Sequence, residues 1–292
     1  MVAVTLSPSE PLESSVRRAI DVLLGDAEER LRLPGEAGLD KAIHESRKRI
    51  KEVRGLLRLF RTSLLDDAGE PVRPWANDLL RSAAQPLGPA REAAVARQTL
   101  DSLSLSGNEL VDRAADRHSA ALAGDAPDAA TDAATAVARV RSASAGWHLK
   151  ADDFTAIRPG LRRLYGLGQL AMARAFRAEG EPEAWHDWRK RAKDLRYAME
   201  FLEPAAPELL LPLRQMAKAV TDQLGRDHDL AELAEFAWVE GQHDVAAAAE
   251  AARVADHRAI ERSGQLLWAE KPKAFVERIG AYWSTKTTVS TS

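Results

Sequence analysis

Residues 44–60 read HESRKRIKEVRGLLRLF, and residues 186–202 read HDWRKRAKDLRYAMEFL. They lie 142 positions apart, close to half of the 292-residue chain. His, Arg, Lys, Arg, Lys and Arg coincide at 44/186, 47/189, 48/190, 49/191, 51/193 and 54/196, while Glu45/Asp187, Glu52/Asp194 and Val53/Leu195 match in kind. Two further echoes keep the same order: VRRAI at 16–20 against LRRLY at 161–165, and LGPARE at 87–92 against LGRDHD at 224–229. Three matches in one order describe an internal repeat. The chain reads as two copies of one helical unit, expected to pack about a pseudo-twofold axis.

Each repeated segment is amphipathic in an unusual way. At about 100° per residue, His44, Arg47, Lys48, Lys51, Arg54 and Arg58 share one face, and Val53, Leu56, Leu57 and Phe60 the opposite one. In the second copy His186, Arg189, Lys190, Lys193 and Arg196 form the stripe, and Leu195, Met199 and Leu202 the apolar face. Glu45, Glu52, Asp187 and Asp194 fall to the side. A solvated helix face usually mixes signs, because like charges three or four residues apart repel. A stripe that stays cationic for three turns, twice, points to a polyanion. From His44 to Arg58 the stripe runs about 21 Å, long enough for a linear ligand. Arg would offer its oxygens a fork of donors, and Lys a point charge. Aromatic residues do not interleave the stripe, Tyr197 excepted, so base stacking on single-stranded nucleic acid is not favoured. His44 and His186 head their stripes and are candidates for hydrogen bonds to the anion.

Outward from these helices, apolar spacing predicts further helices near 16–33, 39–65, 75–84, 90–105, 107–122, 158–178, 182–203, 207–224, 227–239, 243–265 and 271–283. With no alternating strand run, the fold class is all-α. A turn is expected at Asp66-Asp67-Ala68-Gly69. The small, acidic stretch ALAGDAPDAATDAAT at 121–135 reads as a linker between repeats of about 10–120 and 147–285, and 286–292 as a flexible tail.

Composition narrows the function classes. Lys and Arg number 41 against 44 Asp and Glu, a net charge of −3, so an anion site must come from local clustering. Cysteine is absent, which removes disulfide scaffolds, thiolate metal sites and cysteine nucleophiles. The first fifteen residues lack a basic segment followed by an apolar one, and no apolar run approaches membrane-spanning length. A cytoplasmic location without membrane partners is expected. GxxxxGK[ST], HExxH and GxSxG patterns are missing. Asp227-His228-Asp229 is a poor metal set, because three adjacent residues do not converge on one ion, and a helix cap at Asp227 is the simpler reading. His118, His148, His243 and His257 show no pattern, and the seven tryptophans read as core or rim.

HESRKRIKEVRGLLRLF and HDWRKRAKDLRYAMEFL resemble the signature helices of the CHAD family, the conserved histidine α-helical domain. RPGLRRLYGLGQLAMARA (158–175) and LGRDHDLAEL (224–233) are similar to that family too. The resemblance spans about residues 10–283 and is closer in the second half. It implies two four-helix-bundle-like halves around a basic central groove or pore, with inorganic polyphosphate as ligand and an association with polyphosphate granules. The basic positions that match are His44, Arg47, Lys51 and Arg54, then His186, Arg189, Lys190, Lys193 and Arg196. Arg17, Arg18, Arg162 and Arg163 match flanking positions. LGPAREAAV departs from the pattern at Pro89, and no ExExK segment marks an adjoining CYTH domain. Three readings stand: a non-catalytic, cofactor-free polyphosphate-binding module, a nucleic-acid-binding helical protein using the same stripe, and an enzyme acting on phosphate chains or nucleotides. The first leads.

Overall fold

Leu12, Val16, Ala19, Ile20, Leu23, Leu24, Ala27 and Leu31 recur at three- and four-residue intervals, the spacing of one helical face. A computed structural model describes residues 4–88, 99–100, 109–178 and 181–289. There these side chains form the buried face of helix α1 (Leu12–Arg32). Among the described residues nine more helices follow: α2 (Gly38–Leu59), α3 (Arg73–Ala84), α4 (Glu109–Ala123), α5 (Ala126–Ser144), α6 (Phe154–Arg177), α7 (Pro182–Leu202), α8 (Pro207–Val239), α9 (His243–Leu267) and α10 (Pro272–Val289). The fold is all-α, as expected. Helix α6 begins 142 residues after α1, the same offset that separates the basic segments.

Packing follows the apolar faces. Helix α1 lies against α2 and α5, α6 against α7 and α10, and α8 against both α7 and α9. The basic helices α2 and α7 also pack on each other. They can do so because Gly55 has no side chain: a Cβ there would stand 3.0 Å from the Cβ of Tyr197. Gly160 plays the same part where α6 meets the end of α2, since a Cβ would fall on the Leu59 carbonyl. One large core runs through these helices, with Phe60 edge-on to Phe201 at 5.8 Å and Tyr165 stacked on Phe275 at 3.9 Å. Trp147, Trp185, Trp188 and Trp268 are buried, whereas Trp75 and Trp238 are exposed. Helix α4 stands apart from this core. Its Leu110 joins Leu230 and Leu233 of α8 and Val245 and Ala249 of α9 in a second cluster, and its Arg113 and Arg117 both pair with Glu240.

The Asp66–Gly69 turn forms, with Asp66 Oδ1 accepting from the backbone N–H groups of Ala68 and Glu70 and Gly69 at φ 78°. Several expectations need correction. The stretch 121–135 is not a linker. Apart from the Gly124–Asp125 junction it belongs to α4 and α5, and Ala126, Ala130, Ala133 and Ala134 pack on Leu31, Ile43 and Leu87. Small side chains there serve close helix packing. The helices expected at 207–224 and 227–239 are one helix, α8, because Val220, Thr221, Leu224, Asp227, Leu230 and Leu233 bury one continuous face through Gly225. That packing outweighs the roughly 1 kcal/mol a mid-helix glycine costs. Leu64–Leu65 and His148–Leu149 form a two-residue antiparallel pair, too short to show alternation in sequence. Helix α10 continues to Val289, into the stretch expected as a tail. Residues 290–292, most of the helix expected at 90–105 and most of LGPARE lie outside the described residues.

Candidate polyanion-binding site

The crossing of α2 and α7 decides where the two cationic stripes end up. Lys193 projects from α7 one turn before Tyr197 and is largely withdrawn from water. Burial, then the charges of Arg189, Lys51 and Arg196, hold its ammonium down to about 7, with Asp229 opposing them. Lys51 comes from the other basic helix, so the charge of α2 is felt on α7 at this crossing. A cleft of about 440 Å³ opens beside Lys193. Arg189, Lys193 and Arg196 line it from α7, and Thr221, Asp222, Gly225, Arg226, Asp229 and Leu230 from α8, with Thr99. The buried Nε of Arg189 has no hydrogen-bond partner among the described residues. Such a donor is costly to leave unsatisfied.

His186 sits one turn before Arg189 and Lys190. Its Nδ1 lies 3.0 Å from His228 Nδ1, so one ring donates and the other accepts, while His228 Nε2 lies 3.0 Å from Glu232 Oε1. Burial first, then His228, Lys190 and Arg189, push the His186 imidazole down to about 4. Near pH 7 it is therefore a neutral hydrogen-bonding group and adds no charge.

The other stripe residues separate into two groups. Lys48 and Lys190 are exposed on their helices, as are Arg162 and Arg163 on α6. The remainder engage the protein itself. Arg58 donates at 2.9 Å to Asp194, which is buried at the helix crossing. Burial raises the Asp194 carboxyl despite the opposing charges of Arg58, Arg191 and Arg54. Arg54 donates to Asn77 Oδ1 at 3.1 Å and is itself lowered to about 10 by burial and by Arg58. Arg47 donates to the Ala84 carbonyl at 2.5 Å, and Arg196 to Glu200 at 2.7 Å. His44 stands 3.8 Å from Glu45, Arg17 stands 3.6 Å from Glu13, and Arg18 reaches Glu10 and the Thr5 carbonyl. Neither Arg17 nor Arg18 is among the residues lining the cleft.

Helix α8 contributes what sequence reasoning missed: Arg226, Asp229 and His228. Positions 222, 225, 226 and 229 share one helical face, a signal that the expected break near 225 concealed. Asp227 is no helix cap. It is buried within α8, accepts from His257 Nε2 at 2.8 Å and lies 3.7 Å from Arg253, while His257 stacks on Trp185 at 3.8 Å. That cluster ties α9 to α7 and α8. Among the described residues no group of three His, Asp or Glu is arranged to hold a metal. No helix among them is long and apolar enough to cross a membrane.

A family model for the CHAD domain matches residues 14–238. Among solved structures, the crystal structure of the CHAD domain from the plant Ricinus communis is similar, with a TM-score of 0.57 and 23% sequence identity over 97% of this chain and 95% of that one. None of the curated proteins matches the chain.

Proposed function

We propose, from the premise that the chain belongs to the CHAD domain family, that it binds inorganic polyphosphate in the cleft between α7 and α8 and along the adjoining face of α2. The observation that carries this reading is the crossing of α2 and α7 at Gly55 and Tyr197, one turn from Lys51 and Lys193 respectively, beside an Arg189 Nε–H without a hydrogen-bond partner among the described residues. Like charges gathered around a buried ammonium repel one another, and a linear polyanion relieves that repulsion at several points together. Of the fifteen candidate positions that the sequence suggests, Lys51, Arg189, Lys193 and Arg196 are the centre of the proposed site. Lys48, Lys190, Arg47, Arg54 and His44 extend it along α2 and α7, and neutral His186 contributes a hydrogen bond. Arg58 keeps Asp194 neutralised within the fold. The role is binding without turnover, with the protein recruited to polyphosphate granules in the cytoplasm.

The test is a calorimetric titration with long-chain polyphosphate at two salt concentrations. Each neutralised phosphate releases condensed counterions, so affinity falls steeply as salt rises. Charge reversal at Arg47, Lys51, Arg189 and Lys193 together should abolish binding while the melting transition persists. Wild-type affinity in that folded variant defeats the assignment. Two companion measurements address the other readings: competition by RNA and DNA at matched salt, and phosphate release with and without Mg²⁺ or Mn²⁺. A fluorescent fusion reports whether the protein collects on granules.

A further inference from the structure

A second basic pocket lies away from the residues that line the cleft. Pro159, Arg162, Arg163 and Gly166 fall on one face of α6, and they meet Lys271, Pro272 and Lys273 at the start of α10 around a shallow pocket of about 600 Å³. Four of these seven residues are cationic and none is acidic. Lys273 stands 3.7 Å from Glu277, but both side chains are well exposed, and such pairs contribute little. Arg162, Arg163, Lys271 and Lys273 thus gather on an exposed surface without a carboxylate in the pocket to balance them.

The pocket also connects with the cleft. Arg73, at the start of α3, is depressed by burial and then by Arg61, Arg58 and Arg163, so it has one neighbour in the pocket and one on α2. Arg58 in turn acts on Arg54, one turn along α2 from Lys51. Arg163 also stands one turn beyond Gly160, where α6 meets the Leu59 end of α2, so the pocket lies at the far end of the helix that carries Lys51.

We propose that the pocket formed by Arg162, Arg163, Lys271 and Lys273 is a second phosphate-binding subsite, and that one long polyphosphate chain occupies the cleft and the pocket together. This rests on the polyphosphate reading above and adds a consequence for chain length: a chain spanning both sites binds as a bivalent ligand, gaining affinity from the second contact without new translational cost.

The experiment titrates the full chain with tripolyphosphate and with chains of about 100 phosphates, using wild type, Lys271→Gln/Lys273→Gln and, for the cleft, Arg189→Gln/Lys193→Gln. Arg162→Gln/Arg163→Gln provides a second pocket variant if the change at the start of α10 impairs folding. Pocket variants should bind long chains about tenfold more weakly, the scale of losing a charged hydrogen bond. Their salt slope should shrink by about 1.4 to 1.8, as two fewer phosphate contacts require, and one tripolyphosphate site should disappear while the cleft site remains. Unchanged long-chain affinity and slope in folded pocket variants, alongside loss of binding in the cleft variant, overturn the second subsite and leave the cleft assignment standing. Failure of wild type to bind either phosphate overturns both.

Discussion

Lys193 offers the sharpest test, because burial and its cationic neighbours hold its ammonium down to about 7. Phosphate oxygens packed around it should return it toward its usual value of about 10.4. At pH 7 about half of the empty molecules then carry the Lys193 proton, while every complex does. Binding should therefore take up about 0.5 proton at pH 7, about 0.1 at pH 6 and about 0.9 at pH 8. The sign follows directly: the complex binds more protons than the empty protein, so affinity falls as pH rises. Between pH 6 and pH 8 the protonated fraction of empty protein drops about tenfold, and the affinity with it, or about 1.4 kcal/mol. Calorimetry at pH 7 in two buffers of different ionisation enthalpy measures the uptake, with long chains used so that titrating end groups are few. Lys193→Met should lose both the uptake and this pH dependence. Lys193→Arg should retain affinity but lose the pH dependence, since a guanidinium stays charged throughout. Equal uptake in wild type and Lys193→Met would refute the reasoning.

Other outcomes test the fold around the site. Arg58→Ala takes from the buried Asp194 carboxylate its hydrogen-bonded partner, leaving Arg191 at 3.7 Å and the more distant Arg54 and Arg73, and should cost about 3 kcal/mol in urea denaturation. Arg58→Met combined with Asp194→Leu should recover most of that loss, and no recovery would mean that the pair matters for more than charge balance. Gly160→Ala places a methyl group on the Leu59 carbonyl and should destabilise by more than about 3 kcal/mol, as overpacking at rigid backbone does; wild-type melting would show that α2 and α6 do not approach so closely. The His186 imidazole should remain neutral in the ligand-free protein down to about pH 4, as followed by its ring proton shifts in NMR, and a midpoint near 6.5 contradicts the His186–His228 pairing.

The stripe helices were legible because their signal is local: the cations recur every three or four residues, opposite an apolar face that the core then buries. What the helical wheel could not show is which cations meet carboxylates from elsewhere. Arg58 belongs to the α2 stripe, yet it is engaged by Asp194 on another helix. The alanine-rich stretch misled for a related reason. Composition suggested a linker, although Ala126, Ala130, Ala133, Ala134, Val137 and Val140 keep helical spacing and are buried. The α8 side of the cleft was hidden by reading Gly225 as a break, when buried neighbours on both sides carry the helix through it.

Helix α4 has a consequence for how the chain reaches its final state during synthesis. The chain leaves α3, places Leu110 against α8 and α9, and then returns with α5 to pack on α1. The α8 and α9 partners of Leu110, from Leu230 to Ala249, are translated well over a hundred residues later. At about 5–20 residues per second, the Leu110 end of α4 waits on the order of 10 s for α8 and α9. During that interval α1, α2 and α5 have all emerged, but the α8 and α9 side of the cluster that Leu110 and Val111 join has not. A nascent chain stalled before α8 would present that end of α4 to chaperones and proteases, which makes α4 the point at which incomplete synthesis becomes visible.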